Sequence, residues 1–182
     1  MVLLQGAGRI WTILALIFSF PALCIADIGI TTQTLAADIY PIGSISVTPS
    51  ASLYTVGTTF QSYTGTVTVS YWVRTTTGGG GSVTLKAGSD FAPSGGPSVS
   101  AGKLTYACSG ASLGTGCSGT HTISTTSQTP VVTLPASACT GGGGACSSGD
   151  PNQVSVGLVL TNSPAYKTGS YSTSLLFTIS AL

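Results

Sequence analysis

Glutamate is absent from this chain, and charged residues of every kind make up 5% of its 182 residues, against roughly 25% in ordinary globular domains. Each scarcity removes a class of function. Beyond the first 26 residues the cations are Arg74, Lys86, Lys103 and Lys167. Four scattered charges cannot neutralise a phosphate track, so nucleic-acid binding is excluded. The acids are Asp27, Asp38, Asp90 and Asp150, and nothing in their spacing favours the carboxylate pair of a glycosidase. His121 is the single histidine, too little to add to a zinc site with cysteines whose spacing fits neither a finger nor a ribbon. Apolar residues at i, i+3, i+4 and i+7 recur nowhere over a helical length after the leading segment, so no helix is expected there. Low charge does not mean disorder. With 42% hydrophobic residues and little net charge, the composition is opposite to that of a disordered chain on both counts.

What is present begins with an address. Residues 1–26 carry Arg9, then the apolar run "IWTILALIFSF", then Pro21 and "ALCIA", the layout of a secretory signal peptide cut after Ala26. The apolar run is shorter than the ~20 residues of a membrane-spanning helix, and Pro21 would break its end. A lipidated Cys24 is disfavoured by Leu23 at a position that wants a small residue. About 156 residues remain, enough for one domain with a core. The mature chain is expected to be secreted, periplasmic or on the cell surface, with no membrane segment of its own. Its formal charge balances to zero, and a neutral surface of Ser, Thr and Gly favours association.

Cysteine usage agrees with export. Cys108, Cys117, Cys139 and Cys146 remain after cleavage, an even number that implies disulfides in three possible pairings. Each sequence-adjacent pair brackets a glycine-rich loop, "CSGASLGTGC" and "CTGGGGAC". Local pairing is therefore the expectation, with each bridge contributing roughly 2–3 kcal/mol.

The body reads as strands separated by turns. Alternating runs occupy 44–48, 65–75, 82–88, 103–108, 120–125, 129–134, 153–161 and the terminal stretch 169–182. Between them lie "GGGG" at 78–81, "APSGGPS" at 92–98, "GGGG" at 141–144 and "GDPN" at 149–152. Val67, Val69, Tyr71 and Val73 alternate, and Val83 and Leu85 answer them, so 65–88 is expected to form a hairpin. In the terminal stretch Tyr171, Thr173, Leu175, Phe177, Ile179 and Ala181 share one face, which ties the end of the chain into a sheet. The fold class is all-β: an antiparallel immunoglobulin-like sandwich of about 7–9 strands. It is a single domain over 27–182, with 27–43 as a leading segment or N-terminal extension.

"ISVTPSASLYTVGT" near the start and "AYKTGSYSTSLLFTISAL" at the end resemble the opening and closing of secreted immunoglobulin-like surface domains of the pilin and spore-coat-protein-U kind. Gly169–Tyr171 and Phe177–Ile179 follow the closing pattern, whereas Ala181 stands where many such pilins carry Tyr. The resemblance covers about a quarter of the chain. It implies a terminal strand bordering a gap that a neighbouring subunit's N-terminal extension fills by strand addition. Tyr171, Leu175, Phe177 and Ile179 would then be the subunit-contact strand, and copies of this chain or other surface subunits the partners. The complete-sandwich alternative makes the same stretch an ordinary last strand.

Chemistry motifs dissolve on inspection. "GASLG" at 110–114 matches the hydrolase elbow with Ser112 as nucleophile, but no strand–turn–helix context surrounds it. His121 lies four residues after Cys117, and a disulfide would remove the thiolate that such a pair needs. Asp90 and Asp150 stand alone in their loops, where turn chemistry is favoured over calcium. Tyr54, Tyr63, Tyr71, Trp72 and Tyr106 raise a ligand-binding alternative. Tyr71 and Trp72 are adjacent, so on a strand they point to opposite faces and one of them is available for a sugar. The expected function is a non-catalytic surface or structural subunit without cofactor or metal. A secreted carbohydrate- or ligand-binding module is the alternative.

Overall fold

The computed structural model describes residues 35–48, 51–55, 59–76, 78–136 and 151–182. The expected signal peptide, the Cys139–Cys146 bridge and Asp150 lie outside the described residues. The chain separates into Met1–Asp38 and a compact unit, Ile39–Leu182, and all the strands belong to the second.

That unit is all-β. Among the described residues it has nine strands and no helix: β1 (Ile42–Val47), β2 (Tyr63–Arg74), β3 (Gly81–Ala87), β4 (Leu104–Ser109), β5 (Thr115–Gly116), β6 (Thr120–Thr122), β7 (Thr129–Leu134), β8 (Asn152–Leu160) and β9 (Leu175–Ala181). A five-stranded sheet runs β1-β2-β8-β4-β6 and a four-stranded sheet runs β5-β7-β3-β9. Every pairing is antiparallel.

Alternation builds the core. On β2, Val67, Val69, Tyr71 and Val73 are buried and their neighbours are not. On β8, Val154, Val156, Leu158 and Leu160 do the same. Val83, Leu85 and Ala87 of β3 answer from the other sheet. On β7 two consecutive residues, Val131 and Val132, are fully buried. The register slips there, with Val83 opposite Val132 and Thr84 opposite Pro130. A bulge of this kind turns both valines inward. Two tyrosines at the core place their hydroxyls on backbone carbonyls. Tyr71 donates to Leu113 O, and Tyr106 donates to Pro130 O at 2.6 Å, tying β4 to β7 across the sheets. Burial raises both phenols above their ordinary range.

Three expectations need correction. β2 and β3 do not form a hairpin, since β2 pairs with β1 and β8 while β3 pairs with β7 and β9. Their alternating residues face each other across the core rather than side by side. The connection at 75–80 carries the chain from one sheet to the other. β6 ends at Thr122 because the chain leaves its sheet there: Ile123 N bonds Leu104 O in the first sheet, and Ser124 O accepts from Ala87 N in the second. The terminal strand begins at Leu175, not at Tyr171. Tyr171 precedes it, its ring so close to Gly96 that a Cβ there would lie 2.2 Å from the ring. Its hydroxyl donates to Lys167 O at 2.6 Å.

Candidate functional site

The two lateral edges of the sandwich differ. At one, β4 and β6 of the first sheet lie beside β5 and β7 of the second, and Cys108–Cys117 staples them together. Cys108 stands on β4. Cys117 continues β5, donating its N–H to Val131 O on β7, so the bond links the two sheets covalently. Ser112, inside that loop, accepts the Gln153 N–H at 2.8 Å and lies 3.4 Å from Asn152 Oδ1. Its hydroxyl therefore docks the loop on β8. The His121 ring engages Ser118 O at 3.1 Å and stacks on Tyr106 with centroids 5.4 Å apart.

At the opposite edge β1 and β9 end their sheets. The backbone of β9 can be read residue by residue. Ser172 exchanges both of its bonds with Ala92, Ser174 O accepts from Gly88 N, and Leu182 uses both groups, on Gly80 O and Thr76 N. The even-numbered residues thus point their backbone groups toward β3 and its flanks. In an antiparallel ladder the alternate residues point the other way. Leu175, Phe177, Ile179 and Ala181 consequently present N–H and C=O groups to a side on which no described strand pairs. Their side chains turn inward and are half-buried against the core. Ile45 and Val47 of β1 are half-buried beside the same core. In the leading segment Leu35, Ile39 and Tyr40 are exposed. The alternation in the sequence puts Leu175, Phe177 and Ile179 on one face, as the structure does; Tyr171 is the member that lies outside the strand.

The aromatic candidates divide. Tyr71 is fully buried and unavailable to a ligand, because its side faces the core. Trp72 lies on the outer face of the first sheet, half-buried, with its indole N–H shielded and without a partner among the described residues. Tyr63 packs against the core and Tyr106 is inside it. Tyr54 is 61% exposed and Phe60 55% exposed. Phe60 carried no signal in the sequence; it has a left-handed backbone, φ 59°.

Asp90 is saturated by its own loop. Phe91 N and Val99 N donate to one oxygen at 2.8 and 2.6 Å, and Ser98 and Ser100 hydroxyls donate to the other at 2.6 and 2.8 Å. Burial works to raise its carboxyl, but these hydrogen bonds outweigh it and hold the group well below the ordinary carboxylate range. Among the described residues no group of three or more His, Cys, Asp or Glu gathers around a metal-sized space, and no helix is long and apolar enough to cross a membrane.

Comparison with known proteins returns no match: no protein-family model, curated protein or solved structure matches this chain.

Proposed function

We propose that this chain is an exported, non-catalytic structural subunit that accepts an additional β-strand along β9, donated by the leading segment of another copy. The observation that carries the reading is the edge of β9. Four residues there combine backbone groups that no described strand pairs with half-buried apolar side chains, which is a surface that an incoming strand can complete. An ordinary protected edge is short, charged or covered, and β9 offers seven residues without a charge. The exposed Leu35, Ile39 and Tyr40 supply apolar groups for such a strand. The Cys108–Cys117 bond supports an oxidising compartment, as does the signal-like start of the sequence.

Sedimentation of the mature chain and of a form lacking residues 27–40 tests the reading. The mature chain is expected to form assemblies that grow with concentration, and the shortened form to remain a monomer of lower stability. A mature chain that stays monomeric and melts at the same temperature as the shortened form would overturn it.

A further inference from the structure

We infer that Arg74 is the positioning residue that commits the leading segment to a neighbouring copy and keeps it off its own β9. The inference rests on the reading of β9 as a strand acceptor and adds what decides between the two acceptors.

The choice arises from where β1 begins. β1 and β9 end their sheets, and Gly43 of β1 stands against Ile179 of β9. The same end of the sandwich holds Arg74 opposite Ile42 and Thr76 N bonded to Leu182 O. β1 runs away from that end, since Ile42 pairs with Arg74 and Val47 with Val69. β9 runs toward it, since Leu175 pairs with Ala87 and Ala181 with Gly81. Residues 39–41, which belong to the same compact unit, therefore join the sandwich beside its own open edge. A reversal of direction just upstream of Ile42 is all that would lay the segment along its own β9. Such a closure is intramolecular, and a short connection gives it an effective concentration of about millimolar. A second copy at lower concentration would lose that competition. Assembly thus needs a device that blocks the reversal.

Arg74 and Pro41 supply it. The β1–β2 ladder stops at the Ile42 and Arg74 pair, and Pro41 has no N–H to extend it. Beyond Arg74 the facing chain has turned to the other sheet, where Thr76 N serves Leu182 O. The Tyr40 carbonyl consequently has no backbone partner across the ladder. The guanidinium takes that place: Nε and Nη2 of Arg74 both donate to Tyr40 O, at 2.9 and 2.7 Å. Two N–H groups of one rigid fork fix the direction of the carbonyl as well as its distance, which a lysine cannot do. Pro41 in turn holds the preceding Tyr40 extended. Residues 40–42 are therefore kept in line with β1, pointing past the end of the sandwich. Beyond residue 26 this is the chain's single arginine.

Sedimentation and amide hydrogen exchange across a dilution series of the mature chain test the inference. In the parent, the amides of Leu175, Phe177 and Ile179 should gain protection only at concentrations where assemblies form. In Arg74→Met the threshold for assembly should rise at least ten-fold. The same three amides should then be protected even in the dilute monomer, and removal of residues 27–40 from that variant should expose them. Arg74→Lys, which keeps the charge and one donor, should shift both readouts in the same direction by less. It also serves if Arg74→Met does not fold, and no shift in it would then overturn the inference. Arg74→Met that assembles at the parent's threshold, with exposed amides when dilute, would overturn the role of Arg74 and leave β9 as the acceptor. A monomeric Arg74→Met with exposed amides would also overturn it, by making Arg74 part of the contact between copies. A parent that never assembles and never protects these amides would overturn the acceptor reading and this inference with it.

Discussion

Gly43 on β1 stands against Ile179 on β9, so close that a Cβ at position 43 would lie 3.1 Å from the isoleucine Cγ1. The two open-edge strands belong to different sheets and do not pair; this contact is one of the places where they meet. A glycine is needed for space there rather than for backbone freedom. Gly43→Val should overpack the edge and lower stability by about 1–3 kcal/mol. Adding Ile179→Ala should return part of that loss, giving a non-additive pair in a double-mutant cycle by urea unfolding. Simple additivity would show that the two strands do not touch in solution.

The covalent edge should behave differently. Cys108→Ser with Cys117→Ser removes a bridge spanning nine residues, and a loop of that length corresponds to about 2–3 kcal/mol in the chain-entropy model. The urea midpoint should fall with an unchanged slope if the sheets still close. A change in slope would mean that the bond also holds β5 and β6 in place.

Asp90 predicts an acid dependence. Its folded carboxyl is held below the value of about 3.9 expected in the unfolded chain, so the unfolded state binds the proton more readily. The contribution is complete above that unfolded value and is lost as pH falls toward the folded one. Stability should therefore decline on acidification below about pH 4, and less steeply in Asp90→Asn. At neutral pH Asp90→Ala should cost about 1–3 kcal/mol, since the Phe91 and Val99 amides lose their acceptor. Equal pH slopes in Asp90→Asn and the parent would refute the assignment.

How far the sequence foretells this fold depends on which constraint acts. Val67, Val69, Tyr71 and Val73 were legible because a strand beside one core must alternate. The neighbour of that strand was not legible: alternation assigns a face, and the same face can meet Val83 and Leu85 sideways or across the core. β5 is two residues long, too short to carry a period. Tyr171 has the parity of Leu175 and Phe177, yet its ring is claimed by Gly96 before the strand begins. Of the candidate sites, the inward face of β9 was readable from its alternation. Arg74 was visible only as a scattered cation, since its hold on Tyr40 depends on β1 pairing with β2.

Proline scanning of β9 separates the two sides of that strand. Ala181 points its N–H away from β3, whereas Ser180 points its N–H toward the ladder. Ser180→Pro therefore removes a bond that the sandwich uses, and a proline inside a ladder is poorly tolerated; the melting temperature should fall. Ala181→Pro removes only an outward donor and sets its ring on the open edge, so the monomer should keep nearly its full stability. If strands add along β9, Ala181→Pro should nevertheless weaken assembly in sedimentation, because the incoming backbone loses a partner and meets the ring. The preceding Ser180 is already extended, the conformation that a following proline prefers, so no new strain confuses the comparison. Assembly that survives Ala181→Pro intact would place the contact between subunits elsewhere and leave β9 as an ordinary edge strand.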